Sequence, residues 1–262
     1  MLTMGIDIGS ASSKVVILRD AKEIVAAQVV PFGTGSTGPQ RAMAAALQQA
    51  GCTHADMDAI VATGYGRMTN EYTDMQVSEI SCHAKGIFFL IPEARTVIDI
   101  GGQDVKAIRL NDAGHVQQFM MNDKCAAGTG RFLEVMARVL EVELTEMGAW
   151  HEKATTAAPV SSTCTVFAES EVISQLSKGT PKADIIAGVH KSVANKTCGL
   201  ARRVGVTPTV VMSGGVGQNS GVVKAIEAEL EMPVQVAPNP QIIGALGAAL
   251  YAAEKAPGAA TA

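Results

Sequence analysis

The chain has 262 residues, of which 47% are hydrophobic, only 4% are aromatic and 26 are glycine. This composition predicts a glycine-rich α/β protein with an aliphatic core, and it is unlike that of a β-sandwich or a disordered chain. A formal net charge of −4 supplies no basic surface for nucleic acid and no polybasic membrane signal, so small soluble partners are expected.

The first residues, MLTMGIDIGS, have neither the charged nor the apolar region of a secretion signal, and no run of about 18 apolar residues occurs. A cytoplasmic location is therefore expected. Disulfides are rare in that compartment, so the odd number of cysteines points to metal binding or inert burial. The five are Cys52, Cys82, Cys125, Cys164 and Cys198.

Two stretches share one layout. Residues 4–20, MGIDIGSASSKVVILRD, and 97–112, VIDIGGQDVKAIRLND, each read as strand, Asp-Ile-Gly, polar turn, lysine and second strand. Each predicts a β-hairpin whose turn presents backbone amides and one carboxylate, which suits a metal-bound polyphosphate. The duplication predicts two related lobes facing one nucleotide.

Between the two repeats the pattern predicts a strand at 23–32, a helix at 39–51, a strand at 58–67 and a helix at 76–91 that ends before Pro92. After the second repeat, a long helix is predicted near 183–203. A final helix at 244–256 is rich in small residues, which would let it pack closely against the 76–91 helix.

This order predicts a first ATPase lobe from residues 1–92, completed by the C-terminal helix 242–255. A second lobe would span 93–241 and carry the cysteine motifs. Residues 256–262 are expected to form a tail.

The chain has no P-loop motif. Gly33, Gly35 and Gly38 match G-x-G-x-x-G, but Asp58 precedes a strand instead of ending one, so these glycines are interpreted as a turn. A third glycine turn, SGGVGQN, follows a strand near residue 210. Together DIGSASSK, DIGGQDVK and SGGVGQN resemble the ATPase domain of sugar kinases, actin and the heat-shock chaperones, which implies that two-lobed α/β fold.

The resemblance to that superfamily implies a role for each motif. It places Asp7 and Asp99 near Mg²⁺, and either Gln103 or Asp104 as the residue that orients the attacking water. The residues expected around the nucleotide are Ser10, Ala11, Ser12, Ser13 and Lys14 from the first turn, Gly101, Gly102 and Gln103 from the second, and Gly214, Gly215 and Gln241 at adenosine.

Two further stretches, NDKCAAGTGRFLEVM and SSTCTVFAESEVISQL, each place a cysteine at the expected entrance to a helix. A helix N-terminus favours anionic sulfur by about 0.3–1 kcal/mol. Two thiolates fall short of the four that a [4Fe-4S] cluster or a structural zinc site needs. A twofold dimer would supply four, from Cys125 and Cys164 of each copy. Inert burial of both cysteines remains the alternative.

Three other groups are interpreted as structural. Cys52, Cys82 and Cys198 have no comparable context, and Glu169 and Glu171 fit an exposed helix face. His83 is expected to have a structural role.

The two cysteine motifs, with GIDIGS, ATGYGR, SEISCHA and DIGGQDVK, resemble the activator component of 2-hydroxyacyl-CoA dehydratases over nearly the whole chain. The resemblance implies an oxygen-sensitive homodimeric ATPase with ATP or ADP, Mg²⁺ and one [4Fe-4S] cluster bound by Cys125 and Cys164. It also implies an electron donor, ferredoxin or flavodoxin, and transient docking to a dehydratase that receives the electron.

Three rival interpretations remain open. A subunit of an ATP-dependent benzoyl-CoA reductase would share both cysteine motifs but would work in a permanent hetero-oligomer. A small-molecule kinase of the same fold would leave the cysteines unexplained. A zinc-bridged ATP-binding regulator would differ in its metal.

Overall fold

The computed structural model describes residues 1–69, 73–161 and 163–257, so most of the expected tail lies outside the described residues. The strands are β1 (Leu2–Ile8), β2 (Ser13–Arg19), β3 (Glu23–Val30), β4 (Ala59–Thr63), β5 (Met75–Gln76), β6 (Thr96–Ile100), β7 (Val105–Leu110), β8 (Val116–Asn122), β9 (Val210–Ser213) and β10 (Val234–Val236). The α-helices are α1 (Gly38–Ala50), α2 (Glu79–Leu90), α3 (Gly130–Leu140), α4 (Met147–His151), α5 (Thr165–Ser177), α6 (Lys182–Val204), α7 (Ser220–Leu230) and α8 (Ile243–Lys255).

The chain forms two compact units. The first contains residues 1–93, 110–116 and the described residues from 241 onward, and the second contains 94–109 and 117–240. Each unit has a five-stranded mixed sheet, ordered β3-β2-β1-β4-β5 in the first and β10-β9-β6-β7-β8 in the second. Both predicted hairpins are confirmed, because β1 pairs antiparallel with β2 and β6 with β7.

The first sheet is covered by helices on both faces. Ile6, Ile8 and Val15 pack with residues of α1, whereas Val16 and Leu18 on the opposite face pack with α8. This division follows from the alternation of side chains along each strand.

Helix α8 packs closely against α2, as the small residues predicted. A methyl group on Gly247 would overlap the carbonyl of Cys82, and one on Gly86 would lie 2.5 Å from the carbonyl of Ile243. The helix predicted at 76–91 begins later, at Glu79, because the Ser78 hydroxyl accepts from the Ser81 amide and caps it.

The core of the second unit lies beneath its sheet and around α6. Phe132, Leu133 and Met136 from α3 and Ile185, Val189 and Val193 from α6 are all buried in it. Among the described residues, none of the helices has both the length and the apolar character needed to cross a membrane.

Candidate functional site

The turns after β1 (residues 9–12) and after β6 (residues 101–104) are here called the first and second phosphate turns, after the role expected of them. The first is built around a nearly buried aspartate. Asp7 is the last residue but one of β1 and lies in register with Lys14 on β2 and Thr63 on β4. The residue is 6% exposed, and its Oδ2 atom lies 3.3 Å from the Lys14 ammonium. Gly64 adopts φ +88°, and any side chain there would overlap the Asp7 carboxylate. The turn after β4 therefore closes over Asp7.

The tip of this turn remains accessible. Ser10 and Ser12 are half-buried and Ala11 is exposed. Ser13 is different, because its buried hydroxyl donates to the carbonyl of Phe32 over 2.8 Å. Ser13 therefore holds the turn in place, and Ser10 and Ser12 offer the accessible hydroxyls. Gly33 packs under Ser10, which agrees with the interpretation of GTGSTG as a turn.

The second phosphate turn repeats the aspartate–lysine pair of the first, and its aspartate has an additional hydroxyl partner. Asp99 is 2% exposed and accepts from the Lys106 ammonium at 3.2 Å and from the Ser213 hydroxyl at 2.8 Å. Lys106, 3% exposed, also pairs with Asp104. Gln103, beside Asp104, is exposed. Asp104 thus helps to neutralise a buried lysine, whereas Gln103 is accessible to solvent.

Strand register makes the two sites equivalent. Asp99 faces Lys106 and Ser213 in neighbouring strands, as Asp7 faces Lys14 and Thr63. Lys106 was not among the residues predicted for the site, although the lysine of the repeated Asp-Ile-Gly…Lys pattern was a usable signal. The hydroxyls of Thr63 and Ser213 were not predicted either, because parallel pairing with a distant strand leaves no local signature.

The third glycine turn follows β9. Gly214 has φ +84°, and its amide donates to the carbonyl of Pro240 over 2.8 Å. A single 3₁₀ turn spans Gly215–Gln218, and the Asn219 side chain then caps α7 through the amides of Gly221 and Val222. Gln241, expected at adenosine, follows Pro240 directly.

The two cysteines differ in their local structure. Cys164 is the N-cap residue of α5, as predicted. The same prediction is wrong for Cys125, because α3 begins only at Gly130 and the intervening residues 126–129 form a turn in which the Thr129 hydroxyl donates to the carbonyl of Ala126. The first amides of α3 are bonded to the turn after β6. The Gly130 amide donates to the carbonyl of Gly101 over 2.9 Å, and the Arg131 amide donates to the carbonyl of Gly102 over 2.8 Å. The helix after Cys125 is thus bonded to the second phosphate turn.

Helix α6 contacts the segment that follows Cys125 and the segment that precedes Cys164. A methyl group on Gly128, three residues after Cys125, would lie 3.1 Å from Lys196. Residues 155–161, here called the strap, lead to Cys164, and the carbonyl of Ser161 accepts from the Ser192 hydroxyl over 2.9 Å. Ser192 and Lys196 are one helical turn apart, so both cysteine loops lie against the same part of α6.

Burial separates these two cysteines from Cys82 and Cys198. Cys125 and Cys164 are free and partly exposed. Burial raises the pKa of the Cys82 and Cys198 thiols to about 12, so both stay protonated and are poor metal ligands. In the described part of the chain, no three His, Cys, Asp or Glu side chains gather closely enough to hold a metal ion. A metal held by Cys125 and Cys164 would therefore require ligands from another molecule.

Exposed apolar side chains lie near both cysteines. Val166 and Phe167, in the first turn of α5, are 68% and 65% exposed. Phe119 and Met121 lie on β8, which leads to Cys125, and they are also exposed. Exposed apolar side chains that lie together commonly mark contact surfaces.

The paired sheets and phosphate turns define a two-unit α/β fold of the sugar-kinase and actin type. A ROK family glucokinase from Streptomyces griseus, solved with glucose and AMPPNP, has a TM-score of 0.58 to this chain at 14% identity, covering 96% of this chain and 99% of its own. That likeness confirms the predicted fold and nothing more specific.

Closer relatives identify the family. The model of the BadF/BadG/BcrA/BcrD ATPase family matches residues 4–252, and the chain belongs to that family. The activator of lactoyl-CoA dehydratase from Anaerotignum propionicum is 65% identical over 256 residues, covering 98% of this chain and 99% of its own. The structure of the activator of the 2-hydroxyisocaproyl-CoA dehydratase from Clostridium difficile with bound ADPNP has a TM-score of 0.94 at 52% identity, covering 96% of this chain and 94% of its own. The resemblance to dehydratase activators is thereby confirmed.

Proposed function

We propose that this protein is an ATP-dependent one-electron donor that activates a 2-hydroxyacyl-CoA dehydratase. The observation that carries the proposal is the direct bonding of the Cys125-bearing segment to the second phosphate turn, through the amides of Gly130 and Arg131. A kinase of this fold transfers a phosphoryl group, and that reaction does not use a free thiol linked to the nucleotide site. In an electron donor this link places the redox group under the control of ATP.

The redox group is a [4Fe-4S] cluster bound by Cys125 and Cys164 of two copies of the chain. Both thiols are free and partly exposed, and their loops rest on one part of α6, which fits a shared cluster on the axis of a homodimer. The exposed Val166 and Phe167 beside Cys164 support burial of this surface by the second copy. When bound, the cluster accepts and releases one electron. The donor is a reduced ferredoxin or flavodoxin.

ATP is bound by the two phosphate turns and the third glycine turn. Asp7 and Asp99 are suited to hold Mg²⁺, either directly or through water, because each is a nearly buried carboxylate at the end of a strand. Ser10, Ser12 and the amides near Gly101 donate to phosphate oxygens, and Gly214 and Gly215 leave room for adenosine. Gln103 orients the attacking water, since Asp104 is already paired with Lys106.

Hydrolysis would alter the second phosphate turn, and the bonds to Gly130 and Arg131 would pass that change to the Cys125 loop. The acyl-CoA substrate binds the dehydratase and not this chain. In support, relatives named for lactoyl-CoA and 2-hydroxyisocaproyl-CoA dehydratases are 65% and 52% identical to this chain. We therefore expect the activator to be largely indifferent to the acyl group.

The first experiment is to measure iron, acid-labile sulfide and zinc in protein purified strictly without oxygen, together with its native mass. We expect about two irons and two sulfides per chain in a dimer. Cys125→Ala and Cys164→Ala should each lose the iron, and Cys52→Ala serves as the matched control that keeps it.

Protein never exposed to air that contains no iron would overturn the electron-transfer proposal, and zinc in its place would favour a metal-bridged regulator. A partner that copurifies tightly and in fixed stoichiometry would instead favour a reductase subunit. With the dimer and its iron established, reduced ferredoxin or flavodoxin should activate a dehydratase only when ATP is present.

A further inference from the structure

The strap lies along one face of α6. Asp184, Gly188 and Ser192 are spaced four residues apart, so they share that face. Asp184 Oδ1 accepts from the Thr155 amide at 2.8 Å, and Ser192 donates to Ser161 at 2.9 Å. Gly188 lacks a side chain where the strap passes, since a methyl group there would overlap the Ala158 carbonyl. The strap is therefore attached to α6 along its whole length.

The opposite face of α6 carries a buried histidine that contacts the segment after the third glycine turn. His190 Nε2 lies 3.2 Å from Asn219 Nδ2, and His190 Nδ1 lies 3.0 Å from His151 Nδ1. Burial lowers the pKa of His190 to about 3, so its ring is neutral. The Asn219 oxygen is occupied by the amides that it caps, so its Nδ2 donates to His190 Nε2. His190 then donates from Nδ1 to His151.

Asn219 directly follows the turn at 214–218, and Ser192 lies two residues beyond His190 in the same helix. We infer that His190 and Ser192 are positioning residues through which α6 carries the effect of nucleotide at the third glycine turn to the strap and Cys164. This inference rests on the proposed function for the presence of adenosine at that turn. This route connects the nucleotide site to Cys164 and is separate from the bond between Gly130 and Gly101, which connects the site to the Cys125 segment.

A displacement of α6 would be transmitted to Ser161, because all three polar groups of Ser161 take part in hydrogen bonds. Its carbonyl accepts from Ser192, its amide donates to Glu171 at 2.5 Å, and its hydroxyl accepts from the Thr163 amide at 3.2 Å. Thr163 is the residue before Cys164. The strap also lines an open cleft of about 610 Å³, so one of its sides is not packed against protein. Small shifts of packed helices are a common means of such coupling.

The test is hydrogen–deuterium exchange of the dimer, followed by mass spectrometry, with and without ADP or a non-hydrolysable ATP analogue. In the wild type, nucleotide should change exchange both at residues 214–222 and at 155–164. In Ser192→Ala the change at 214–222 should remain and the change at 155–164 should be lost. Ser177→Ala is the matched control, because the Ser177 hydroxyl donates to the carbonyl of Ile173 within α5, and it should behave as the wild type.

A second pair of variants tests the other end of the connection. His190→Gln retains an acceptor for Asn219 and should keep the change at 155–164, whereas His190→Leu should lose it. Protection at 214–222 with no response at 155–164 in the wild type would overturn this inference alone, as would a full response in Ser192→Ala. Absence of any nucleotide effect at 214–222 would overturn the proposed ATP site as well.

Discussion

The amide of Gly130 donates to the carbonyl of Gly101 over 2.9 Å, and this bond joins the helix that follows Cys125 to the turn that follows Asp99. A methyl group on Gly130 would lie 3.1 Å from that carbonyl, so the turn or the helix would have to shift by a few tenths of an ångström. The bond can therefore be tested without removing any functional side chain.

We expect Gly130→Ala to fold and keep its iron but to deliver about tenfold fewer electrons per ATP hydrolysed, because small misplacements near a reacting group are costly. Dehydratase activation and phosphate release, measured on one sample, give this ratio. Gly199→Ala is the control, since no described atom beyond the adjacent backbone of α6 lies within 4 Å of its new methyl group. It should stabilise α6 by about 0.5–1 kcal/mol and leave the ratio unchanged. An unchanged ratio in Gly130→Ala would refute this route of coupling.

Substitutions at Gln103 and Asp104 should have different effects. Gln103→Ala should lower the rate of ATP hydrolysis by about 100-fold, as expected for loss of one well-placed polar group, with the thermal midpoint unchanged. Asp104→Asn removes a partner of the buried Lys106, so its main effect should be on stability. Phosphate release and thermal unfolding distinguish the two. A large loss of rate in Asp104→Asn without loss of stability would reverse the assignment.

The close packing of α8 against α2 predicts a strong effect at Gly247. Gly247→Ala should lower the free energy of unfolding by about 1–3 kcal/mol, because the methyl group would overlap the carbonyl of Cys82. Urea unfolding measures the change, and Gly199→Ala again provides the glycine-to-alanine control. If Gly247→Ala were as stable as that control, the two helices would have to lie farther apart than described.

The buried His190 predicts a pH dependence of stability. Its pKa is about 3 in the folded protein, against about 6.5 when unfolded, so between these values the unfolded chain binds the extra proton. Stability should therefore be fully present above pH 6.5 and fall by up to about 1.4 kcal/mol for each pH unit below it. His190 contacts His151, whose own pKa is lowered by burial and is also influenced by the charges of Glu152 and Lys224.

Comparison with His190→Gln isolates this contribution from other titrating groups. Between pH 7.5 and 5, the wild type should lose about 2 kcal/mol more than the variant in urea unfolding. Equal losses would mean that His190 is protonated in the folded state. The same variant is expected to keep the nucleotide response of the strap, so the two roles of His190 are measured separately.

Features of this protein that depend on residues close together in the chain could be predicted from the sequence. The repeated Asp-Ile-Gly…Lys pattern predicted two hairpins correctly, because a short turn sets which residues of two antiparallel strands face each other. The small residues of α8 predicted its close packing on α2. The amino-acid sequences of the two cysteine motifs predicted the family.

The connections between those features became visible in the folded chain. Thr63 and Ser213 face the two aspartates through parallel pairing, and Ser213 is 114 residues from Asp99. The AAGTG turn, and not a helix, follows Cys125, because the first amides of α3 bond to the second phosphate turn. Both cysteine loops rest on α6, which begins after them in the chain. Such contacts depend on how distant segments close around one core, and local periodicity carries no information about that.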